Sequence, residues 1–236
     1  MYKKNKVLLM IPAYNDEGNI KEVLKKIPVT IVDDLVIVND GSIDNTRQEI
    51  EDGLKKLPFG TLISFEKNKG LGPGFKTMFD FARKSTCNIG VIIAGDNQDD
   101  PREMITLIKA LVDEDYDLIQ GSRYLYTERE KIPLQRIITT KLYSFVFSLF
   151  AKMWITDGSN GFKAFKLSLL DKIDLTEKWL DDKYGIEQYF LAKTIRKGFR
   201  VKEMPVKKYY PPNYSKMVMS VDWWKIVKPL IMSLRR

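Results

Sequence analysis

Short apolar runs alternate along this chain with longer stretches whose apolar residues recur every three to four positions. Residues 7–11 form a continuous apolar run, as in a strand covered on both faces. Ile20, Val23, Leu24 and Ile27 then share one helical face, with Asn15 or Asp16 as the cap and Pro28 as the stop. The strand pattern returns at 35–38, 61–65, 89–94 and 118–120. The helix pattern returns at Ile50, Leu54 and Leu57, at Phe75, Met78, Phe79 and Ala82, and at Met104, Leu107, Ile108 and Leu111 behind Pro101. This alternation predicts an α/β fold, a mainly parallel sheet with helices on both faces.

The second half changes character. Residues 137–154 are mostly large and apolar, with Lys141, Ser144, Ser148 and Lys152 as a thin polar stripe at helical spacing. Lysines inside the segment argue against a membrane span. A helix lying in a membrane interface and a helix buried against the domain both fit, and the two are compatible. Residues 193–208 are rich in Lys and Arg. The last stretch carries Trp223 and Trp224 among apolar residues and cations, which predicts an amphipathic helix that Pro229 kinks or ends.

Composition narrows the chemistry. The 236 residues suit one large α/β domain, or one with a small appendage. Cys87 is the only cysteine, so no intrachain disulfide forms and a reducing, cytoplasmic location fits. The apolar run after the N-terminal lysines is too short for the core of a signal peptide. The net charge of +8 suits nucleic acid, an acidic membrane surface or a phosphorylated substrate. No aromatic-basic module accompanies it, so nucleic acid is not expected. There is no histidine. That excludes a Ser-His-Asp triad, argues against zinc, and leaves carboxylates, amides, hydroxyls, Lys and Arg for the chemistry.

Clusters of such residues fall where ligands bind in open α/β sheets, at the carboxyl ends of strands. Pro12-Ala13-Tyr14-Asn15-Asp16-Glu17 leaves the first strand, where backbone N–H groups face an anion or only cap the helix. Asp40 ends the second, placed to accept from ribose hydroxyls or a base N–H. The loop from Asn68 to Gly74 is glycine-rich but matches neither a dinucleotide fingerprint nor a Walker loop. Asp96-Asn97-Gln98-Asp99-Asp100 groups carboxylates and an amide, the oxygen donors of Mg²⁺ or Mn²⁺, with Asp100 capping the next helix. Arg123, in Gly121-Ser122-Arg123-Tyr124, comes off the fifth strand within reach of phosphate.

Taken together, these clusters resemble the family 2 glycosyltransferases, and within them the polyprenyl-phosphate sugar transferases typified by dolichyl-phosphate mannosyltransferase. The first-half match spans about residues 6–125. The resemblance continues in Asp157-Gly158-Ser159-Asn160-Gly161-Phe162-Lys163, in Gly185-Ile186-Glu187-Gln188, in residues 197–206 and in Ser215-Lys216-Met217. It implies a GT-A-type nucleotide-binding sheet with amphipathic C-terminal helices: a catalytic domain over 1–210, its acceptor half about 126–210, and a basic tail over 211–236. It implies that Pro12, Tyr14, Glu17 and Asp40 hold the nucleoside of a nucleoside-diphosphate sugar. Asp96 and Gln98 would bind the metal and diphosphate, and Arg123 and Lys216 would meet phosphates.

The implied enzyme is an inverting transferase acting on a lipid phosphate, peripheral to the cytoplasmic membrane face. A separate membrane partner or self-association stays open. One departure stands out: the family's usual Asp two positions before Asp96 is Ala94 here. A non-catalytic relative therefore stays open. So does a sugar-hydroxyl acceptor in cell-surface polysaccharide synthesis, with Glu187 or Asp157 as base. A sugar nucleotidyltransferase would need a Gly-rich, Arg-containing loop after the first strand, which Pro12-Ala13-Tyr14-Asn15 is not.

Overall fold

The computed structural model describes residues 1–126, 132, 134–181, 185–210 and 223–235. The expected alternation is present: β1 (Val7–Ala13), α1 (Asn19–Lys26), β2 (Asp34–Asn39), α2 (Thr46–Leu54), β3 (Gly60–Ser64), α3 (Leu71–Lys84), β4 (Ile89–Ile92), α4 (Met104–Asp113) and β5 (Leu118–Ser122). Then follow α5 (Leu134–Ala151), β6 (Lys163–Lys166), α6 (Ile186–Arg196), β7 (Val201–Pro205) and α7 (Trp223–Met232).

The strands form a seven-stranded sheet in the order β3-β2-β1-β4-β6-β5-β7. It is mixed, because β6 slots antiparallel between β4 and β5 while the other pairings are parallel. The chain reverses strand order on either side of β1, which opens the crevice where α/β sheets hold ligands.

Successive strand residues point to opposite faces, and the sheet accordingly separates two cores. Val7, Leu9, Ile11, Leu35 and Ile37 pack under α1, α2 and α4. Leu8, Met10, Val36, Val38 and Phe165 pack under α3 and the later helices. The second core is aromatic: Phe79 lies 5.8 Å from Phe75, 6.3 Å from Phe165 and 5.6 Å from Phe190, measured between ring centroids.

Local details differ from the sequence expectation. Neither Asn15 nor Asp16 caps α1 by its side chain; the helix starts later, after Gly18 at φ 76°, and the Asp16 carbonyl accepts the N–H groups of Asn19 and Ile20. The α2 helix stops at Leu54, and Leu57 is buried in the turn beyond. The α7 helix runs through Pro229 rather than ending there. The polar stripe of α5 divides. Ser144 and Ser148 are buried, their hydroxyls accepting from the N–H groups of Gly158 and Ile155. Outward point Leu134, Ile138, Leu142, Phe145 and Leu149, with Trp154 just past the helix. Among the described residues no helix is long and apolar enough to cross a membrane.

Phe79 joins helix α3 to the sheet and to α6, so Phe79→Ala removes the centre of the aromatic core. We expect a loss of about 3–5 kcal/mol in urea unfolding. A loss under about 1 kcal/mol would show that this core collapses around the cavity.

Candidate active site

The carboxyl ends of β1, β2 and β4 bring Pro12, Tyr14, Glu17, Asp40, Asp96 and Gln98 to one edge of the sheet. The loop after β1 is fastened to the one after β2. The N–H groups of Asn15, Asp16, Glu17 and Gly18 donate to side chains of Ser42, Thr46, Asp44 and Glu49 at 2.7–3.2 Å. They are therefore spent inside the protein. Glu17 receives the Asn45 amide at 2.5 Å and so serves the same fastening. Tyr14 remains exposed.

Asp40 is buried and receives the N–H groups of Lys69 at 2.7 Å and Gly70 at 2.9 Å, one on each oxygen. It thereby shapes the glycine loop that leads into α3. Gly41 makes this approach possible: it adopts φ +65°, and a Cβ there would lie 2.3 Å from the Lys67 carbonyl carbon.

Beyond β4, Gly95 donates to the Pro12 carbonyl at 3.1 Å, tying this loop to β1. The Asp96 carboxylate accepts the Gln98 N–H at 3.1 Å, and Asp100 caps the next turn through the Arg102 N–H at 2.9 Å. Gln98 is buried, and its carbonyl accepts from the Tyr209 N–H at 2.7 Å. Asp99 is buried in an ion pair with Lys208, yet its Oδ1 has no hydrogen-bond partner. Burial raises the Asp99 pKa against the pull of Lys208, with Asp96 adding to the rise. Burial also pushes Asp16 up to about 7; the Tyr14 N–H opposes this, and the charges of Asp96 and Asp44 add to it. Among the described residues no group of three Cys, Asp or Glu side chains converges as a metal cage.

Arg123 is built into a buried pair. It is buried, with Nε 2.6 Å from Asp157, one terminal nitrogen 2.9 Å from the Tyr210 hydroxyl and the other 3.3 Å from Ser159. Burial works against its charge, but Asp157 and Tyr210 more than restore it, so its pKa is raised. Asp157 is fully buried in this pair. Glu203 fixes the loop by accepting the N–H groups of Thr156 and Asp157. Glu187 accepts from the buried Lys163 ammonium at 3.1 Å. Lys216 lies outside the described residues, as do the side chains of Trp223 and Trp224.

Nothing in the sequence pattern marks Asp16, Lys163, Lys208 or Tyr210 as a site residue. Lys208 was legible only as part of a basic stretch; the packed carboxylates of Asp96, Asp99 and Asp100 were the signal that a cation had to reach them.

The profile of the family described as Glycosyl transferase family 2 matches residues 9–174. The chain belongs to this family. It is 28% identical to a UDP-N-acetylglucosamine--dolichyl-phosphate N-acetylglucosaminyltransferase of Methanococcus voltae, over 86% of each chain. It is 27% identical to a polyprenol monophosphomannose synthase of Mycolicibacterium smegmatis, over 85% of this chain and 76% of that one. Its fold is that of the GT-A glycosyltransferases. Glucosyl-3-phosphoglycerate synthase of Mycobacterium tuberculosis, solved with Mn²⁺, UDP-glucose and phosphoglyceric acid, superposes with a TM-score of 0.71 at 17% identity, over 98% of this chain and 80% of that one.

The raised Asp16 pKa has a consequence for stability. Its folded value near 7 exceeds the ordinary 3.8, so the native state holds a proton that the unfolded chain releases. The group's stabilising contribution is full below pH 4 and is lost as pH rises through 7. In metal-free buffer, Asp16→Asn is expected to flatten the decline in melting temperature between pH 5 and pH 8 and to melt higher at pH 8. Parallel profiles for the two proteins would contradict this.

Proposed function

We propose that this family 2 transferase moves a sugar, with inversion, from a nucleoside diphosphate to a polyprenyl phosphate at the cytoplasmic face of a membrane. The observation that carries this reading is the exposed apolar stripe of α5, rooted beside Arg123. Thr140 on that helix shares a hydrogen bond with the Tyr124 hydroxyl, and Arg136 stacks 5.1 Å from the Tyr210 ring that receives Arg123. An apolar surface of this kind beside a polar site suits an acceptor whose phosphate is polar and whose tail is hydrocarbon. The names of the Methanococcus and Mycolicibacterium relatives support the same acceptor class.

On this reading Pro12, Tyr14, Glu17 and Asp40 border the nucleoside, and Arg123 and Lys216 address the phosphates. The catalytic unit spans 1–210, with 211–236 as a basic appendage at the membrane. The donor set fits a hard divalent cation, Mg²⁺ or Mn²⁺. Its oxygens come from carboxylate and amide, neither Asp96 nor Asp16 has a cationic partner among the described residues, and an Asp99 oxygen is buried unpaired. Asp96 and Gln98 would hold the ion, which when bound neutralises the charge that develops on the departing diphosphate.

The step itself asks little of the side chains. An acceptor phosphate oxygen forms the new bond to the anomeric carbon, and the nucleoside diphosphate leaves with the old bonding pair. A phosphate is already ionised near pH 7, so no strong base is needed, in keeping with a chain that has no histidine. Electrostatic positioning is the remaining task. A sugar-hydroxyl acceptor would require Glu187 as base, yet that carboxylate already holds Lys163.

Two variants separate these acceptors. With a polyprenyl phosphate, Glu187→Gln should retain turnover within about tenfold of wild type, and Lys216→Ala should lose more. With a hydroxyl acceptor the order reverses, since general base catalysis is worth roughly 10²–10⁴-fold. Matching melting curves are the control, and the reversed order would overturn the lipid-phosphate reading.

The α5 stripe makes a second expectation. The protein should co-sediment with anionic liposomes, more at low salt than at high salt. Leu142→Asp with Leu149→Asp should weaken the salt-resistant fraction at least tenfold, because each buried Leu side chain is worth about 1.5–3 kcal/mol. Unchanged sedimentation of the double variant would remove α5 from the membrane contact.

A further inference from the structure

The carboxylates around the β4 loop are not alike in their partners. Asp99 pairs with Lys208, Asp100 with Arg102 and Asp157 with Arg123. Asp16 and Asp96 have no such cation among the described residues. Each is held by a single protein hydrogen bond, from the Tyr14 N–H at 3.1 Å and from the Gln98 N–H at 3.1 Å respectively. The nearby Lys26 ammonium goes instead to the Asn97 amide oxygen at 2.9 Å.

The two carboxylates are also brought together by the backbone. Asp16 Oδ2 presses against Gly95, the residue directly before Asp96, so closely that a Cβ at position 95 would lie 2.8 Å from it. Gly95 is in turn bonded to Pro12, so the loops after β1 and β4 meet here. Two like charges held this way repel, and a diphosphate arriving at the same edge adds more negative charge. A divalent cation between carboxylates and diphosphate relieves both repulsions. Position 94, where a neighbouring carboxylate would otherwise stand, is Ala94.

We propose that Asp16, from the loop after β1, supplies the second carboxylate of the divalent-cation site beside Asp96, in place of the one absent at Ala94. The inference rests on the nucleotide-sugar reading and deepens it. The cation site is built from two loops instead of one, so the β1 loop, fastened to residues 42–49, becomes part of metal recognition. Gly95 is then required for the passage of the Asp16 carboxylate.

The test uses the full chain and Mn²⁺ itself, read by electron paramagnetic resonance as free Mn²⁺ in the presence of UDP or GDP. Asp16→Asn should weaken nucleotide-dependent Mn²⁺ binding by about 10- to 100-fold, the range that groups around a metal site carry. In an Ala94→Asp background the same substitution should cost less than about threefold, because the new carboxylate takes over. Asp16→Ser, which also keeps an acceptor for the Tyr14 N–H, replaces the Asn variant if that one does not fold. Unchanged Mn²⁺ affinity in the Asp16 variants, with loss in Asp96→Asn, overturns this inference and leaves the nucleotide reading standing. An equal loss in both backgrounds also overturns it and marks Asp16 as a brace for the loop. No nucleotide-dependent Mn²⁺ binding by the unaltered chain overturns the two together.

Discussion

The buried pair of Arg123 and Asp157 is the constraint on which the second half of the molecule is organised. Removing two charges from water costs several kcal/mol each unless geometry and further hydrogen bonds repay it. Here the repayment is extensive. Asp157 also accepts the Arg123 N–H, Arg123 reaches Ser159 and Tyr210, and Glu203 orders the backbone before Asp157. The consequence is that the end of β5, the 157–161 loop, β7 and the segment after it are one connected unit. Lys208 and Tyr209 then carry that unit onto Asp99 and Gln98. The loop after β4 and the 157–161 loop are therefore joined by buried charge, and a change in one reaches the other through named bonds.

Much of this fold was legible in the chain. Strands β1 to β5 and their helices announce themselves by period, because each strand is covered on both faces and each helix on one. The family was legible in short clusters that the sheet gathers at one edge. Strand β6 was not: Lys163-Ala164-Phe165-Lys166 is short and begins and ends in lysine. Lys163 is nonetheless buried, since Glu187 and the carbonyls of Asn160 and Gly161 satisfy its ammonium. A pattern reading treats such a lysine as exposed. Ser144 and Ser148 illustrate the same limit, because their partners are backbone N–H groups several residues away in sequence. The backbone N–H groups of Asn15 to Gly18 looked open to a ligand for a similar reason: the side chains that consume them come from residues 42–49.

What the protein leaves unsatisfied is as informative as what it satisfies. Among the described residues Asp16 and Asp96 stand without cations at the strand ends, and an apolar stripe on α5 faces outward beside Arg123. The first deficit suits a divalent ion with a diphosphate, the second a hydrocarbon surface. On the proposed reading, one site then has both a nucleotide side and a lipid side.

That account stands or falls on the product. Purified protein would be incubated with Mn²⁺, nucleoside-diphosphate sugars of uridine and guanosine, and vesicles containing polyprenyl phosphate, and the lipid extract analysed by mass spectrometry with NMR of the anomeric centre. The account predicts a polyprenyl-phosphate sugar whose anomeric configuration is opposite to that of the donor. Transfer only to sugar hydroxyls, or a lipid product with retained configuration, would contradict it.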